Sequence, residues 1–411
     1  MGVNSLSYEN IGTIMTAITA QAGGRTALAN IDTKNFVSVA QVALSLPKDA
    51  VMNAISGVLG RTIYAVRPKS AKLKGMEKSL PRWGAYMRKL SIADSDWSDD
   101  PAYTWPVAYD SSQSGHETGD GYSVDQWSIK KPDILQTNFF GSSVYSDHYT
   151  VTQKQLETAF SSPDELGSFI TMLATNMSNR LEMAKDGTAR GLLANLIGSL
   201  VAEAGGSSSP RVVKLLTEYN AQCGLSGANA LTATTVYLPE NYPAFCKWAF
   251  ARIAQLSDLM TENSVMFQTI VNSKNVYRHT EVERQKVYLY SPQQHAIAAR
   301  VLADTYHDNY LKKADVESVN FWQSIQTPDT VKVKPSYTNT SGVVVEASST
   351  ITQANIFGIM FDEDAAGYAY TDRQSIATPI NAAGLYYNIW VHARQRVFQD
   401  NTEKAILLLL A

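Results

Sequence analysis

The strongest periodic signal in the chain starts after Ser162. Leu166, Phe169, Ile170, Leu173, Met177, Leu181 and Ala184 recur at helical spacing and form one apolar stripe, which Leu192, Leu193 and Leu196 continue less strictly. Ahead of the stripe, Ser162-Pro163-Asp164-Glu165 has the form of a capping box with proline at the first helical position. The Ser162 hydroxyl can accept from the Glu165 amide while the Glu165 carboxylate returns to the Ser162 amide. Asp164 and Glu165 also suit the positive end of the helix dipole. The pattern predicts a helix of more than roughly 30 residues, on the order of 45 Å at 1.5 Å per residue, with Leu173 in its buried stripe. Gly205-Gly206-Ser207-Ser208-Ser209-Pro210 ends it as a flexible break and a domain boundary.

Shorter elements follow. Val212–Asn220 reads as a helix stopped near Gly224, Thr235–Leu238 as a strand, and Pro243–Leu259 as a helix. Lys286–Tyr290 reads as a strand, and Ser291-Pro292 opens a helix to about Tyr310. Val343–Val345, Ile356–Phe361, Leu385–Val391 and Ala405–Leu410 are further strands. The mixture is α+β.

The first third of the chain is patterned by charge instead. Residues 1–60 are weakly amphipathic and broken by Gly23-Gly24, which predicts an arm that packs on something else. Arg61, Arg67, Lys69, Lys72, Lys74, Lys78, Arg82, Arg88 and Lys89 face a single acid, Glu77, over residues 61–90. The sign then reverses: Asp94, Asp96, Asp99, Asp100, Asp110, Glu117 and Asp120 occur with no Lys or Arg over 91–120. Turn formers there alternate with Trp97, Tyr103, Trp105 and Tyr109, which predicts a long two-stranded excursion. It is either a solvated loop of mixed charge or a contact arm whose oppositely charged limbs meet neighbouring subunits.

Composition narrows the function. The chain has 411 residues, enough for two to four domains or one large one. With 45% hydrophobic and 18% charged residues it is not a disordered chain. Lys plus Arg is 35 and Asp plus Glu is 38, a net charge of −3, which excludes a surface that coats nucleic acid throughout. Two cysteines, Cys223 and Cys246, give no disulfide framework and suit a reducing compartment. Met1–Leu6 lacks the features of a secretory leader or a myristoylation site, and Ala405–Ala411 is too short to span a bilayer, so a soluble, cytosolically made protein with no membrane partner is expected.

Motifs for chemistry are missing. None of the six histidines lies in a zinc-protease pair, and there is no phosphate-binding Gly-Lys-Ser/Thr loop, dinucleotide glycine motif or nucleophile elbow. His307-Asp308 with Asp304 reads as an exposed helix end, and Asp362-Glu363-Asp364 as a solvated turn. Cys246 reads as a buried thiol. No catalytic, metal or cofactor-binding residue is assigned, and the chain is read as not an enzyme.

Three stretches resemble the major capsid proteins of tailed bacteriophages, the Hong Kong 97-type fold, and most of all those of small short-tailed phages (podoviruses). The first runs from Asn138-Phe139-Phe140 through Tyr145, Tyr149, Leu156, Ala159-Phe160 and Phe169 into the long helix. The second is Val287–Tyr290 followed by Val301-Leu302-Ala303-Asp304-Thr305-Tyr306. The third is Gly384–Trp390 with Arg394, Arg396 and Phe398, then Ala405–Leu410. The resemblance implies an N-terminal arm (1–62), an extended hairpin or E-loop (63–137), and a peripheral domain with a spine helix (138–210). An axial domain (211–371) and closing strands of the peripheral domain (372–411) complete it. It implies a shell subunit of the virion, assembled in the host cytoplasm by head-to-tail contacts into hexamers and pentamers of an icosahedral head. A scaffolding protein and a portal would be partners, and double-stranded DNA would be enclosed without sequence-specific binding. Arg67, Lys69, Lys72, Lys74 and Lys78 would meet Asp94, Asp96, Asp99 and Asp100 of a neighbour. Ser162, Glu165, Leu173 and Trp390 would be structural. An encapsulin-like nanocompartment shell shares the fold and is one alternative; a soluble α+β enzyme is another of a different class, and a tail or portal protein fits the helices less well.

Overall fold

The computed structural model describes residues 73–78, 87–93, 127, 133–139, 142–160, 163–205, 209–262, 269–271, 274–276, 278–301, 315–338 and 343–411. The arm read over 1–62 lies outside them, as does most of the excursion beyond Ala93. In chain order, β1 (Met87–Ala93) pairs antiparallel with β2 (Asp133–Phe139). β3 (Ser142–Thr152) leads through α1 (Gln153–Ala159) into α2 (Pro163–Ala204). β4 (Val212–Lys214), α3 (Leu215–Cys223) and α4 (Tyr242–Thr261) follow. β5 (Thr269–Val271) and β6 (Lys274–Val276) form a small ladder. Next come β7 (Gln285–Tyr290), α5 (Ser291–Val301) and β8 (Asp315–Val319). β9 (Val331–Val333) pairs with β12 (Ile351–Gln353), enclosing β10 (Ser336–Thr338) paired with β11 (Val344–Glu346). The chain closes with β13 (Ile356–Asp362), β14 (Ala366–Ala377), β15 (Tyr386–Gln399) and β16 (Ala405–Leu409).

The helix α2 starts at Pro163, as the sequence pattern predicts, and runs for 42 residues. It stops at Ala204 because Gly205 takes a left-handed φ of 56°, open to glycine without a Cβ penalty. Ile170, Leu173, Met177 and Leu181 form the buried stripe of its first half. From Ala189 to Leu200 most positions are buried, because β9, β10, β12, β14 and β16 all pack on this half. That explains the looser apolar period there: a helix enclosed by neighbours has no single apolar face.

Two sheets organise the rest. The first has the order β14-β15-β3, all antiparallel, and packs one face on α2. The second has the order β4-β16-β13-β7-β8. Its strands β13 and β16 are buried at every position, which is why Ile356–Phe361 and Ala405–Leu410 read as continuous apolar runs instead of alternating ones. Side chains still alternate between two cores. Leu407, Leu409, Ile359, Phe361 and Tyr288 face a core shared with α2, whereas Ile406, Leu408, Met360, Val287 and Leu289 face one built with α3, α4 and α5.

The α+β reading holds, with local corrections. Thr235–Tyr237 is a 3₁₀ turn and not a strand. Thr232 and Thr235 exchange side-chain to backbone hydrogen bonds there, 3.2 Å and 2.8 Å, which favours a turn over a ladder. Val212–Lys214 is a strand, paired parallel to β16, and the helix begins only at Leu215. Its end at Gly224 (φ 66°) is where the sequence places it. The final strand β16 does not return to the sheet on α2: it sits between β13 and β4 in the other sheet. β14 crosses the boundary expected at 371, since it spans Ala366–Ala377. Residues 73–78 are not part of an excursion: Leu73 and Met76, on a 3₁₀ turn over Lys74–Met76, are buried in the core shared with α2.

Candidate functional site

The β1–β2 ribbon is a two-stranded ladder separate from both large sheets. Its register pairs Arg88 with Asn138, Leu90 with Gln136, and Ile92 with Ile134. Alternation puts Arg88, Leu90, Ile134, Gln136 and Asn138 on the exposed side, with Leu90 57% and Ile134 66% exposed. The opposite side carries Lys89 and Phe139. Phe139 meets Phe398 of β15 with ring centroids 5.8 Å apart.

Lys89 reaches a carboxylate pair in the loop between β15 and β16. Its Nζ donates to Asp400 Oδ2 at 2.8 Å and also to Glu403. Both acids are buried, at 3% and 6% exposure. Arg278 Nη1 lies 3.5 Å from Glu403. Thr402 donates to Asp400 Oδ1 from its amide at 2.9 Å and its hydroxyl at 2.6 Å. Burial alone would raise the Asp400 pKa, but the Lys89 ammonium and the Thr402 hydrogen bonds outweigh it and hold the carboxyl below its ordinary range. Asp400 is therefore ionised at neutral pH.

A second cluster ties residues 73–78 to the β13–β14 turn. Lys78 lies 3.3 Å from Glu363 and 3.4 Å from Asp364, and Arg284 pairs with the same two acids. Asp362 is buried and accepts from the Thr280 hydroxyl at 2.8 Å. The expected solvated turn is thus a neutralised ion cluster with one member in the interior. On α2, Lys185 bridges Glu77 at 2.7 Å and Glu182 at 3.2 Å. Tyr368 lies near these acids, and burial, with Glu77 and Glu182 adding, pushes its hydroxyl pKa up.

The face of the three-stranded sheet turned away from α2 carries an aromatic ladder. Trp390, half-buried, stacks on His148 at 4.4 Å and lies 6.1 Å from His392 at 6°. Gln395, on the other face, donates to Thr188 of α2 at 2.8 Å.

Of the sequence-named residues, Leu173 is buried on α2 and Glu165 lies in its first turn. Lys74 opens the 3₁₀ turn, and Lys78 is committed to acids of its own chain. Arg67, Lys69, Lys72, Asp94, Asp96, Asp99, Asp100 and Ser162 lie outside the described residues. Sequence reasoning missed Asp400, Glu403 and Lys404 as anchors. Their signal was a charged run directly before the final apolar strand, where interior carboxylates need a partner. It also missed the capping box at Thr152-Gln153-Lys154-Gln155, formed with hydrogen bonds of 3.3 Å and 3.1 Å. Among the described residues no cluster of three His, Cys, Asp or Glu side chains is placed to hold a metal, and no helix is long and apolar enough to cross a membrane.

No curated protein matches the chain. Its fold is similar to that in the capsid of Staphylococcus phage Andhra, with 11% identity, TM-score 0.49, and coverage of 84% of this chain and 86% of that one. The same values hold for a structure of the head fibre and inner core protein of native bacteriophage P68. The capsid of cyanophage P-SCSP1u is similar at 11% identity and TM-score 0.40, over 84% of this chain and 90% of that one. The family model for the Phi29-like phage major capsid protein matches residues 17–409, so the chain belongs to that family and is a subunit of a phage capsid shell.

Proposed function

We propose that copies of this chain join head to tail into hexamers and pentamers of an icosahedral head that encloses double-stranded DNA, and that the role is structural and not catalytic. The observation that carries the reading, beyond the family itself, is the β1–β2 ribbon: on its outer side, among Arg88, Gln136 and Asn138, it carries Leu90 and Ile134, two large apolar side chains that the subunit leaves exposed. Mixed polar and apolar surface of this kind suits contact with a neighbouring subunit. In this reading the excursion, read over 63–137 but without the buried segment 73–78, reaches a neighbour, the arm over 1–62 packs on the shell, and residues 138–210 with β14 and β15 form the peripheral part. Residues 211–371 crowd around the symmetry axes. A net charge of −3 suits a wall that must not grip the packaged genome. A scaffolding protein and a portal are the expected helpers, and assembly takes place in the host cytoplasm.

Electron microscopy of the purified chain, expressed with and without its scaffolding protein, tests this. Closed particles of uniform size with five-fold and six-fold vertices are expected in the presence of the scaffold. A discrete small oligomer under those conditions sinks the reading.

A further inference from the structure

We propose that Lys89, seated between Asp400 and Glu403, is an anchor that fixes the pose of the β1–β2 ribbon on the body, so that the ribbon's own ladder loosens when this contact is removed. The inference rests on the reading that the ribbon reaches a neighbouring subunit.

A two-stranded ribbon has little stability of its own and takes its orientation from what it packs against. Here β1 touches β6 and β2 touches β15, and the ribbon's one ring contact among the described residues is Phe139–Phe398, tilted at 57°. The charged link is that of Lys89. Lys89 is the third residue of β1, and its side chain is 23% exposed while those of Asp400 and Glu403 are 2% and 7% exposed. The acids are fixed independently of the ribbon. Thr402 orients Asp400, and Arg278 faces Glu403. The backbone carbonyls of Asn401 and Glu403 accept from Arg211 at 3.2 Å and 2.9 Å. Arg211 itself stands on α2 through Glu203 at 2.9 Å. The receptacle therefore belongs to the body, and the key belongs to the ribbon. Interior carboxylates accept a new partner poorly, because few orientations satisfy their oxygens, so one ribbon pose is selected. In a shell, the angle at which each ribbon leaves its subunit sets where the neighbour sits, so the anchor governs curvature.

Hydrogen exchange on the unassembled full-length subunit tests the anchor. Lys89→Met keeps the length of the side chain and removes its charge. Amides of 87–93 and 133–139 are expected to exchange at least about tenfold faster, while those of β13 and β16 keep their protection. The double variant Lys89→Glu/Asp400→Lys restores the opposite-charge pair and should recover ribbon protection. Unchanged ribbon exchange in Lys89→Met overturns the proposal. So does equal loosening of β13 and β16, which would make Lys89 a general stabiliser. Because the measurement is made before assembly, it stands even if no closed shell forms. Shells of uniform size from a Lys89→Met subunit with a loosened ribbon would refute the link to curvature alone.

Discussion

Lys404 illustrates how a single residue can set a pH dependence. It is buried, and its ammonium donates to the carbonyls of Met260 at 2.9 Å and Glu262 at 2.6 Å, at the C-terminal end of α4, where the helix dipole favours a cation. Burial lowers its pKa to about 8, against the opposing pull of Asp362, Glu262 and Glu403. An unfolded lysine holds its proton to about 10.4, so between these values the unfolded chain binds more protons and stability from this residue rises with pH. Denaturant midpoints of parent and Lys404→Met followed from neutral to alkaline pH should diverge in slope, with the rise flattened in the variant. Parallel curves would refute the assignment. Leu173, by contrast, was readable directly: its place in the stripe and its burial agree.

Glycines show the same dependence on surroundings at the level of the element. Gly187, Gly191 and Gly198 all lie within α2, where each costs about 1 kcal/mol relative to alanine. A Cβ at Gly191 would meet nothing within 4 Å, whereas one at Gly198 would collide with Val333 and lie 3.2 Å from Pro335. Gly191→Ala should therefore stabilise the isolated subunit by about 1 kcal/mol. Gly198→Ala should destabilise it by roughly 1–3 kcal/mol through overpacking. Urea unfolding of the two variants checks the opposite signs. At the start of the same helix, Ser162→Ala is expected to cost about 1 kcal/mol if the sequence-predicted cap operates at Pro163. Equal melting of variant and parent would count against it.

For the whole molecule, the charge reversal between residues 61–90 and 91–120 falls mostly outside the described residues. Lys78 and Lys89 are taken up within the chain, so the test of contact between subunits belongs to the other basic residues. Lys72→Glu/Lys74→Glu should impair assembly while leaving the subunit's melting unchanged, as read by light scattering and thermal unfolding. Normal shells from that variant would refute the pairing with a neighbour's Asp94–Asp100. The sequence by itself determined the long helix and its start, the ends at Gly205 and Gly224, and the strands β7, β11, β13, β15 and β16. Each of these is local, written in apolar period, caps and turn residues a few positions apart. Only the tertiary structure decided that Ala405–Leu409 lies between β4 and β13, that Leu73 and Met76 belong to the core, and that Lys89 meets Asp400. An apolar strand specifies that it will be buried on both faces but not which strands will flank it. An acid carries no sign of which base will reach it from more than 300 residues away.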